Sequence, residues 1–288
     1  MKRLAVLLSL SSLVLSGCIG TPAATPATTP APTAAVTPVA APEGSVPFDY
    51  SIVASTTGVM GDNVLTVTSA LKGKDDTYIY YNAVMSAPGT NVSKVKSFGS
   101  ELTIPNSMII PLAKGEKVKK GDIVLTWWQS GSGMERAIVT GGTETQPTVR
   151  YLDMDAGSSS DKEDTLQPDT FIKIADGWNA GVTVGCMDAT STNYGKYQIL
   201  NATDSKVLVG GWAGSIKSFD RSKCFVVPVK PTVKVGDSVY IPNFGSFTSA
   251  TVKKIDAVLG RVTVTYSFGG QDTDAAVAYG DVATKLGN

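Results

Sequence analysis

Histidine is absent from this chain of 288 residues, and the formal net charge is zero, with 25 basic and 25 acidic side chains. Histidine is the commonest general base and the commonest metal ligand, so its absence excludes Ser-His-Asp and Cys-His catalysis in their usual forms. A zinc site would need cysteines and carboxylates alone. Because no basic excess is available to neutralise phosphates, we expect no nucleic-acid partner, and we expect no cofactor.

A long apolar run is also missing at the N-terminus. Lys2 and Arg3 precede an apolar run at 4–10, which is far shorter than the roughly 20 apolar residues of a membrane-spanning helix. A charged start, a short apolar segment and small residues before a cysteine form a secretory signal. Leu15-Ser16-Gly17-Cys18 resembles the lipobox of bacterial lipoproteins. The resemblance implies a signal peptide at 1–17 and acylation of Cys18; an ordinary signal peptide with a chance cysteine is the alternative.

An acylated Cys18 would tie the mature chain to a membrane. No acidic residue directly follows Cys18, and the resemblance to lipoproteins of enteric bacteria then implies the outer membrane, facing the periplasm or the surface. Residues 18–43 would form the lipidated start and a linker made almost wholly of Thr, Pro and Ala. Proline keeps such a stretch extended and solvated, so we expect a tether; a leader without a spacing role is the alternative.

Cysteine is scarce, with three in the whole chain. Cys18 is assigned to the lipid, which leaves Cys186 and Cys224. In an oxidising envelope two remaining cysteines most often pair, so the sequence predicts a Cys186–Cys224 disulfide. Two buried free thiols are the alternative, and no histidine is present to activate either of them.

Long runs with helical spacing are missing from the folded part, which extends from about residue 44 to residue 288. Short segments rich in Val, Ile, Thr and Tyr instead alternate with Gly, Asn, Asp and Pro, which is typical of strands and turns. Polar and apolar residues alternate in 262–266 with the period of a half-buried strand. The sequence therefore predicts an all-β fold with at most single helical turns.

The folded part also repeats itself. Six short segments recur in the same order with similar spacing, and they predict two related halves at 44–175 and 176–288. The paired segments are 78–83 with 197–202, 96–98 with 217–219, 109–111 with 226–228, 118–124 with 233–239, 137–139 with 250–252, and 149–151 with 264–266.

Each half ends in a segment with a Gly-Asp turn, an Ala-x-Val or related strand and a Val-x-Tyr strand. Glycine supplies a positive φ in such a turn, and aspartate bonds nearby backbone amides. The order resembles the Tudor and agenet modules of the Src-homology-3-like small barrels, at about 115–174 and 233–287. The resemblance implies an internally duplicated array of small Src-homology-3-like, Tudor-like barrels. The segments 50–112 and 176–228 would be related β-modules.

Aromatic side chains on neighbouring strands of Tudor-like barrels can form cages for methylated lysine or arginine, so the resemblance points to aromatic ligand-binding candidates. Asp153 or Asp155 would supply an anionic wall. Packing inside the barrel is the alternative for every ring, although one tryptophan of an adjacent pair must face outwards on a regular strand. The candidates are Trp127, Trp128 and Tyr151 in the first barrel and Tyr240, Phe244 and Tyr266 in the second, which has no tryptophan.

The acidic segment 153–164 carries five carboxylates in twelve residues. Calcium takes six to eight oxygen ligands, so Asp153, Asp155, Asp161 and Asp164 are calcium candidates, although the spacing departs from the EF-hand. A solvated acidic loop is the plainer interpretation, and we expect no metal site.

These observations favour a protein that is not an enzyme. We expect a cell-envelope lipoprotein that binds or scaffolds a protein, peptide or glycan partner through small β-barrels, and that contacts the membrane through its anchor. One alternative is a purely structural subunit of an envelope assembly. The other is a hydrolase that attacks cell-wall material with carboxylates alone, as paired carboxylates do in glycoside hydrolysis.

Overall fold

The structure is a computed structural model, and it describes residues 58–72, 77–131, 133–154, 157–158, 161–188 and 191–287. The signal peptide, the Cys18 lipidation site, the linker and the calcium candidate Asp155 lie outside the described residues. The statements about them therefore stay predictions. No helix within the described ranges has the length and apolar character that crossing a membrane requires.

Strands dominate the described residues, which confirms the predicted all-β fold class. Nineteen strands, three short 3₁₀ turns and no α-helix occur within these ranges. The strands are rich in β-branched residues, which pack well on a pleated sheet, and glycine-containing turns with positive φ separate many of them. They form four consecutive modules.

The first two modules are five-stranded antiparallel sheets. Their strand orders are β4-β3-β2-β1-β5 and β10-β6-β7-β8-β9. The first consists of β1 (Asn63–Val67), β2 (Tyr80–Ala87), β3 (Val92–Ser97), β4 (Ser100–Pro105), the 3₁₀ turn η1 (Asn106–Met108) and β5 (Ile110–Pro111). The second consists of β6 (Ile123–Trp127), β7 (Met134–Gly142), β8 (Pro147–Tyr151), β9 (Glu163–Thr165) and β10 (Ile172–Lys173).

The third and fourth modules share one sheet, because a single residue pair, Gly195 with Ser246, joins them. The third consists of β11 (Thr183–Cys186), β12 (Gly195–Ala202), β13 (Lys206–Gly210), η2 (Trp212–Gly214), β14 (Ile216–Asp220), η3 (Arg221–Lys223) and β15 (Cys224–Val226). The fourth consists of β16 (Ser238–Asn243), β17 (Ser246–Asp256), β18 (Arg261–Phe268) and β19 (Gln271–Ala278), followed by a single bridge between Tyr240 and Ala283.

One strand order is common to all four modules. When the strands of each module are counted along the chain, they lie side by side in the order 5-1-2-3-4, with the bridge at Ala283 in place of a fifth strand in the last module. This is a four-stranded meander whose fifth strand returns beside the first, as in small Src-homology-3-like barrels. Within the described residues, the predicted array of small barrels is therefore present and comprises four modules, two of which have strands within 50–112 and 176–228.

The turn before the first strand is the local signature of every module. A glycine with positive φ donates its N–H to a carbonyl on the second strand, and the carbonyl of the next residue accepts a bond from that same second-strand residue. In three modules the next residue is an aspartate whose carboxylate accepts a backbone N–H three residues earlier, at 2.8 to 3.0 Å. The four turns are Gly61-Asp62, Gly121-Asp122, Gly181-Val182 and Gly236-Asp237.

Five of the six repeated segments fall on corresponding strands or turns of the modules. The pair 96–98 and 217–219 does not, because 96–98 closes the third strand of the first module while 217–219 lies on the fourth strand of the third module. That match of three letters does not mark corresponding strands, so it does not support the prediction of two related halves. A longer match such as 118–124 with 233–239 is sound because it includes the turn that sets the strand register.

The modules share a common hydrophobic core. A large cluster of buried residues draws on all four, from Val64 in the first to Val282 in the fourth, and a smaller cluster fills the second module alone. Strand β6 is buried on both faces, since Leu125 and Trp127 lie in the large cluster and Val124 in the smaller one. The described strands therefore belong to one compact unit rather than to independently folded domains.

The predicted disulfide is present. Cys186 and Cys224 face each other across the directly paired strands β11 and β15, and both are buried. The bond closes a sequence separation of 38 residues inside the third module. In the chain-entropy model such a loop stabilises the fold by roughly 3 to 4 kcal/mol.

Candidate functional site

Two of the aromatic candidates lie in the core. Trp127 is 8% exposed and Tyr151 is 2% exposed, so neither ring presents a face to solvent. The Tyr151 hydroxyl donates to Asp164 Oδ2 (2.9 Å) and accepts from the backbone N–H of Gln129 (3.0 Å). Burial also raises the pKa of Tyr151. Trp127 and Tyr151 therefore do not form the predicted ligand cage, because both rings pack inside the core.

Trp128 does not supply the expected outward-facing ring either. It follows the last residue of β6, its ring covers Gly131, and its Nε1 donates to Ser130 Oγ (2.8 Å). The ring is half-buried against the core of the second module. The expectation of one exposed member of the pair assumed a strand with one solvent face, whereas β6 is buried on both.

The three candidates of the fourth module are dispersed. Tyr240 is half-buried beside Phe225 and Phe247, and Tyr266 lines a cavity next to Arg261. Phe244 is 83% exposed in the turn between β16 and β17, where its ring meets Phe268 at a centroid distance of 5.5 Å. Phe244 is the predicted ring that lies most openly on the surface.

The acidic segment does not assemble a calcium site in the described part of the chain. Asp153 is bound by Arg136, Asp161 accepts the N–H of Gly157 (2.8 Å), and Asp164 accepts from Tyr151. No group of three or more His, Cys, Asp or Glu side chains within the described ranges is placed to hold a metal ion. These carboxylates bind protein groups, which corrects the proposed use of Asp153, Asp161 and Asp164 as calcium ligands.

A buried ionic cluster joins the second, third and fourth modules. Arg136 on β7 contacts Asp153 and donates to Asp281 Oδ1 (3.0 Å) and to Thr183 Oγ1 (2.9 Å). Thr183 in turn donates to Asp281 (2.8 Å), and Lys196 on β12 donates to Asp281 Oδ2 (2.8 Å). Two cations and two anions balance each other there.

The mutual attraction in this cluster keeps its carboxylates ionised. Burial alone would raise the pKa of Asp281, but the charges of Arg136 and Lys196 outweigh burial and lower it to about 2. The pKa of Asp153 is lowered in the same way, against its burial, by Arg136. The cluster is therefore a charge-balanced set of ion pairs that connects the modules and forms one wall of a cavity.

A chamber of about 270 Å³ lies against this wall, and we call it the Glu135 chamber. Glu135 Oε2 is buried and has no hydrogen-bond partner among the described residues. Burial raises the pKa of Glu135 to about 8, and the charge of Asp153 adds to the rise. Arg136, Asp153, Thr183 and Lys196 of the cluster line this chamber. The other lining residues are Met134, Glu135, Tyr197, Gln198, Gly210, Gly211, Trp212 and Gly245.

A second chamber, of about 430 Å³, adjoins the first, and we call it the Tyr80 chamber. Its lining is mostly apolar, with Ile79, Leu200 and Ile216 among its walls. Met134, Gln198, Gly210 and Gly211 line both chambers, so we refer to the two together as the groove. The groove takes lining residues from all four modules.

The turn η2 stands between the chambers. Trp212 is 82% exposed and lines the Glu135 chamber, while Ala213 (φ 56°) and Gly214 line the Tyr80 chamber. Gly214 O accepts the N–H of Tyr78 (3.0 Å), and a Cβ at Gly214 would lie 2.7 Å from Tyr78 O. This close approach, which only glycine permits, attaches the turn of the third module to the first.

Sequence reasoning missed the groove residues Tyr80, Glu135 and Trp212. For Trp212 a signal was present, because it stands in the glycine-rich run 210–214, where a turn on the surface is expected. For Glu135 and Tyr80 no local signal exists. Their buried oxygen atoms lack hydrogen-bond partners among the described residues because of how the modules pack.

Comparisons with known proteins leave the family open. No protein-family model matches the chain, and no curated protein matches it. A crystal structure of the four MBT repeats of Drosophila melanogaster Sfmbt, in complex with a methyl-lysine peptide, is similar at 9% sequence identity, over 78% of this chain and 88% of that chain, with a TM-score of 0.17. A TM-score so low carries no argument about fold or ligand, so the fold class rests on the strand order itself.

Proposed function

We propose that this chain is a non-enzymatic binding protein of the bacterial cell envelope, anchored by lipid at Cys18, whose groove binds a segment of a partner protein. The observation that carries the proposal is Glu135 Oε2, a buried carboxylate oxygen without a partner in the described part of the protein, inside a chamber with Trp212 exposed beside it. A basic side chain of the partner would occupy the Glu135 chamber.

The chemistry of the chamber selects a cation. A buried polar atom without a hydrogen bond costs about 1 to 3 kcal/mol, and a donor brought by a ligand removes that cost. Without a ligand, Glu135 keeps its proton at neutral pH, because its pKa is raised to about 8. A Lys or Arg side chain donates hydrogen bonds to Glu135, and its positive charge lowers this pKa so that the carboxylate is ionised in the complex. Trp212 adds to this, because a cation over an aromatic ring gains roughly 0.5 to 2 kcal/mol.

The same geometry disfavours carboxylate-only hydrolysis. A glycosidase needs two carboxyl groups facing the substrate. Glu135 and Asp153 line the chamber together, but both oxygens of Asp153 accept hydrogen bonds from Arg136. The second carboxylate is thus committed to the protein, which supports binding rather than bond cleavage.

A glycan is the second candidate ligand. An exposed tryptophan face beside the amide of Gln198 and the ammonium of Lys196 also suits a sugar ring, which stacks on aromatic faces and bonds through its hydroxyls. The purely structural alternative gives no role to Glu135 Oε2, which has no hydrogen-bond partner among the described residues.

Peptide selection tests the proposal. The purified full chain would be screened against a positional-scanning library of N-acetylated, C-amidated heptapeptides at pH 7.5. We expect enrichment of Lys or Arg at one position, because these residues both donate a hydrogen bond to Glu135 and stabilise its ionised form. Glu135→Gln should weaken binding of the enriched peptides at least about tenfold, as expected for a lost charge-assisted hydrogen bond, and Trp212→Ala several-fold.

Matched variants control for surface effects. Glu144→Gln changes an exposed carboxylate paired with Lys117, and Phe98→Ala removes a ring that is 74% exposed and does not line either chamber. Neither should alter selection. A wild-type chain that enriches no basic residue would refute the peptide proposal, and binding of a glycan array that Trp212→Ala abolishes would favour the second candidate.

The envelope location is tested separately. Mass spectrometry of the mature protein should show a chain that begins at Cys18 and carries acyl groups, and Cys18→Ala should release the protein from the membrane fraction. A mature chain without acyl groups would contradict the anchor without affecting the groove.

A further inference from the structure

The Tyr80 chamber is larger than the Glu135 chamber and has a different chemistry. Its walls are mainly apolar, and Ile79 is 57% exposed at its edge. Exposure of a large β-branched side chain beside a concave apolar surface is unfavourable in water, and a ligand that covers both is stabilised by the area it removes from solvent.

Tyr80 lines this apolar chamber and carries a buried polar group. It is 7% exposed, and its hydroxyl finds no hydrogen-bond partner among the residues described. Burial raises the pKa of Tyr80, so the hydroxyl remains a donor at physiological pH. Buried tyrosine hydroxyls usually have a partner, and an acceptor on a bound molecule would supply it.

The two chambers are spaced for neighbouring side chains of one extended segment. Along β12, Lys196 lines the Glu135 chamber, Leu200 lines the Tyr80 chamber and Gln198 lines both. Residues two apart on a strand are separated by about 7 Å and point to the same side. In an extended segment that lies over β12, side chains on the same side are separated by this same distance. The side chains of its residues i and i+2 therefore reach adjacent chambers.

We propose that the Tyr80 chamber is a second binding site, which takes a large apolar side chain two residues away from the basic residue in the Glu135 chamber. Tyr80 donates its hydroxyl hydrogen to a backbone carbonyl of the bound segment. The inference rests on the proposed function, because it names the pattern of the same ligand: a basic residue, any residue, and a large apolar residue such as Leu, Met or Phe, in either direction.

A second round of the library tests this pattern. Heptapeptides with the central residue fixed as Lys would be varied at every other position and bound to the full chain. We expect large apolar residues to be preferred about tenfold or more over Ala at one of the two positions next but one to the lysine, as burial of such a side chain implies. The other positions should be tolerant.

Two variants and one control locate the apolar residue. Ile79→Asn replaces the exposed wall and should reduce the apolar preference. Tyr80→Phe removes only the hydroxyl and should weaken binding of all the selected peptides alike, because the hydroxyl bonds to their backbone. Selection for lysine at Glu135 should persist in both variants. Val84→Asn is the matched control, because Val84 is a β-branched residue on β2 that is 39% exposed and does not line the chamber.

The outcomes separate the inference from the function beneath it. Selection for lysine without any apolar preference would overturn the second site and leave the proposed function intact. An apolar preference that survives Ile79→Asn would also overturn the second site, since the side chain then binds elsewhere. An unchanged affinity of Tyr80→Phe for the selected peptides would refute the role of the hydroxyl. Absence of both selections would refute the proposed function itself.

Discussion

At the scale of single residues, Arg136 and its partners show how a buried charge is tolerated. An isolated ion inside a protein costs several kcal/mol, and close opposite charges with additional hydrogen bonds offset that cost. Arg136 has Asp153, Asp281 and Thr183 around it, and Lys196 completes the charge balance. Removal of one member leaves an uncompensated charge in the cluster.

Asp281→Asn should therefore destabilise the protein strongly. The change leaves Arg136 and Lys196 with one anion between them, and breaking a buried pair costs about 3 to 5 kcal/mol. Chemical denaturation of the wild type and the variant measures the difference. Asp274→Asn is the control, because Asp274 pairs with Lys253 in an exposed position and should matter little. Equal effects of the two changes would contradict the role of the cluster.

Glu135 predicts a pH dependence with a definite sign. Its folded-state pKa of about 8 lies above the usual value of a glutamate, so the folded protein holds this proton more tightly than the unfolded chain does. The contribution of Glu135 to stability is fully present below about pH 4.5 and is lost as the pH rises to about 8. The contribution is lost because ionising Glu135 in a buried position near the negative charge of Asp153 is unfavourable.

Glu135→Gln should not show this decrease in stability, because glutamine does not ionise. The free energy of unfolding of the variant should therefore rise relative to that of the wild type between pH 5 and pH 8. Denaturant titrations at half-unit pH steps would show the difference. Glu144→Gln should follow the wild-type curve, since that carboxylate is exposed. Parallel curves for Glu135→Gln and wild type would show that Glu135 ionises normally.

At the scale of elements, the glycine turn before the first strand is the recurring unit. Its glycine adopts a positive φ, and its backbone bonds tie the first strand to the second in each module. The third module keeps the turn with Gly181-Val182 although the aspartate is missing. Backbone geometry therefore maintains the turn, and the aspartate only adds a side-chain bond.

Gly121→Ala tests the turn. A Cβ there meets no atom within 4 Å, so the cost comes from the φ of 86° alone and should be about 1 to 2 kcal/mol. Gly141→Ala is the matched control, since a Cβ at Gly141 also meets nothing and φ is not positive. Thermal unfolding of both variants measures the effect. A loss at Gly141 equal to that at Gly121 would point away from φ strain.

At the scale of the whole molecule, contacts between modules fix the groove. Arg261 of the fourth module donates to the carbonyl oxygens of Tyr151, Leu152 and Met154 in the second, at 2.7 to 3.0 Å. These bonds and the ionic cluster hold modules that are distant in sequence, and the shared core lies between them. The groove exists only while the modules stay together.

Arg261→Met should loosen the fourth module, with a loss of about 2 kcal/mol for the charged hydrogen bonds. None of the four tryptophans lies in that module, so fluorescence reports on the second and third modules while circular dichroism reports on all. The two thermal transitions should coincide in the wild type and separate in the variant. Arg150→Met, whose partners Asp161 and Glu163 lie in its own module, should keep them coincident.

Local patterns in the sequence determined much of this fold. Short β-branched segments between turn residues predicted strands, Gly-Asp predicted the turns, and two remaining cysteines predicted the disulfide, because each of these depends on a few neighbouring residues or on simple pairing. The segment Ile-Val-Leu-Thr-Trp at 123–127 is apolar at every position except the threonine, which is a sign of burial on both faces. The prediction of an outward-facing tryptophan is wrong because it assumes a strand with one solvent-exposed face.

Only the tertiary structure decided where a ligand could bind. Arg136 and Asp281 are 145 positions apart, and Glu135, Tyr80 and Trp212 come from three different modules. No local rule places such residues together, since their proximity depends on how whole modules pack. The sequence determined the barrels, while their packing decided that Glu135 Oε2 and the Tyr80 hydroxyl are among the buried polar atoms without a hydrogen-bond partner within the described residues.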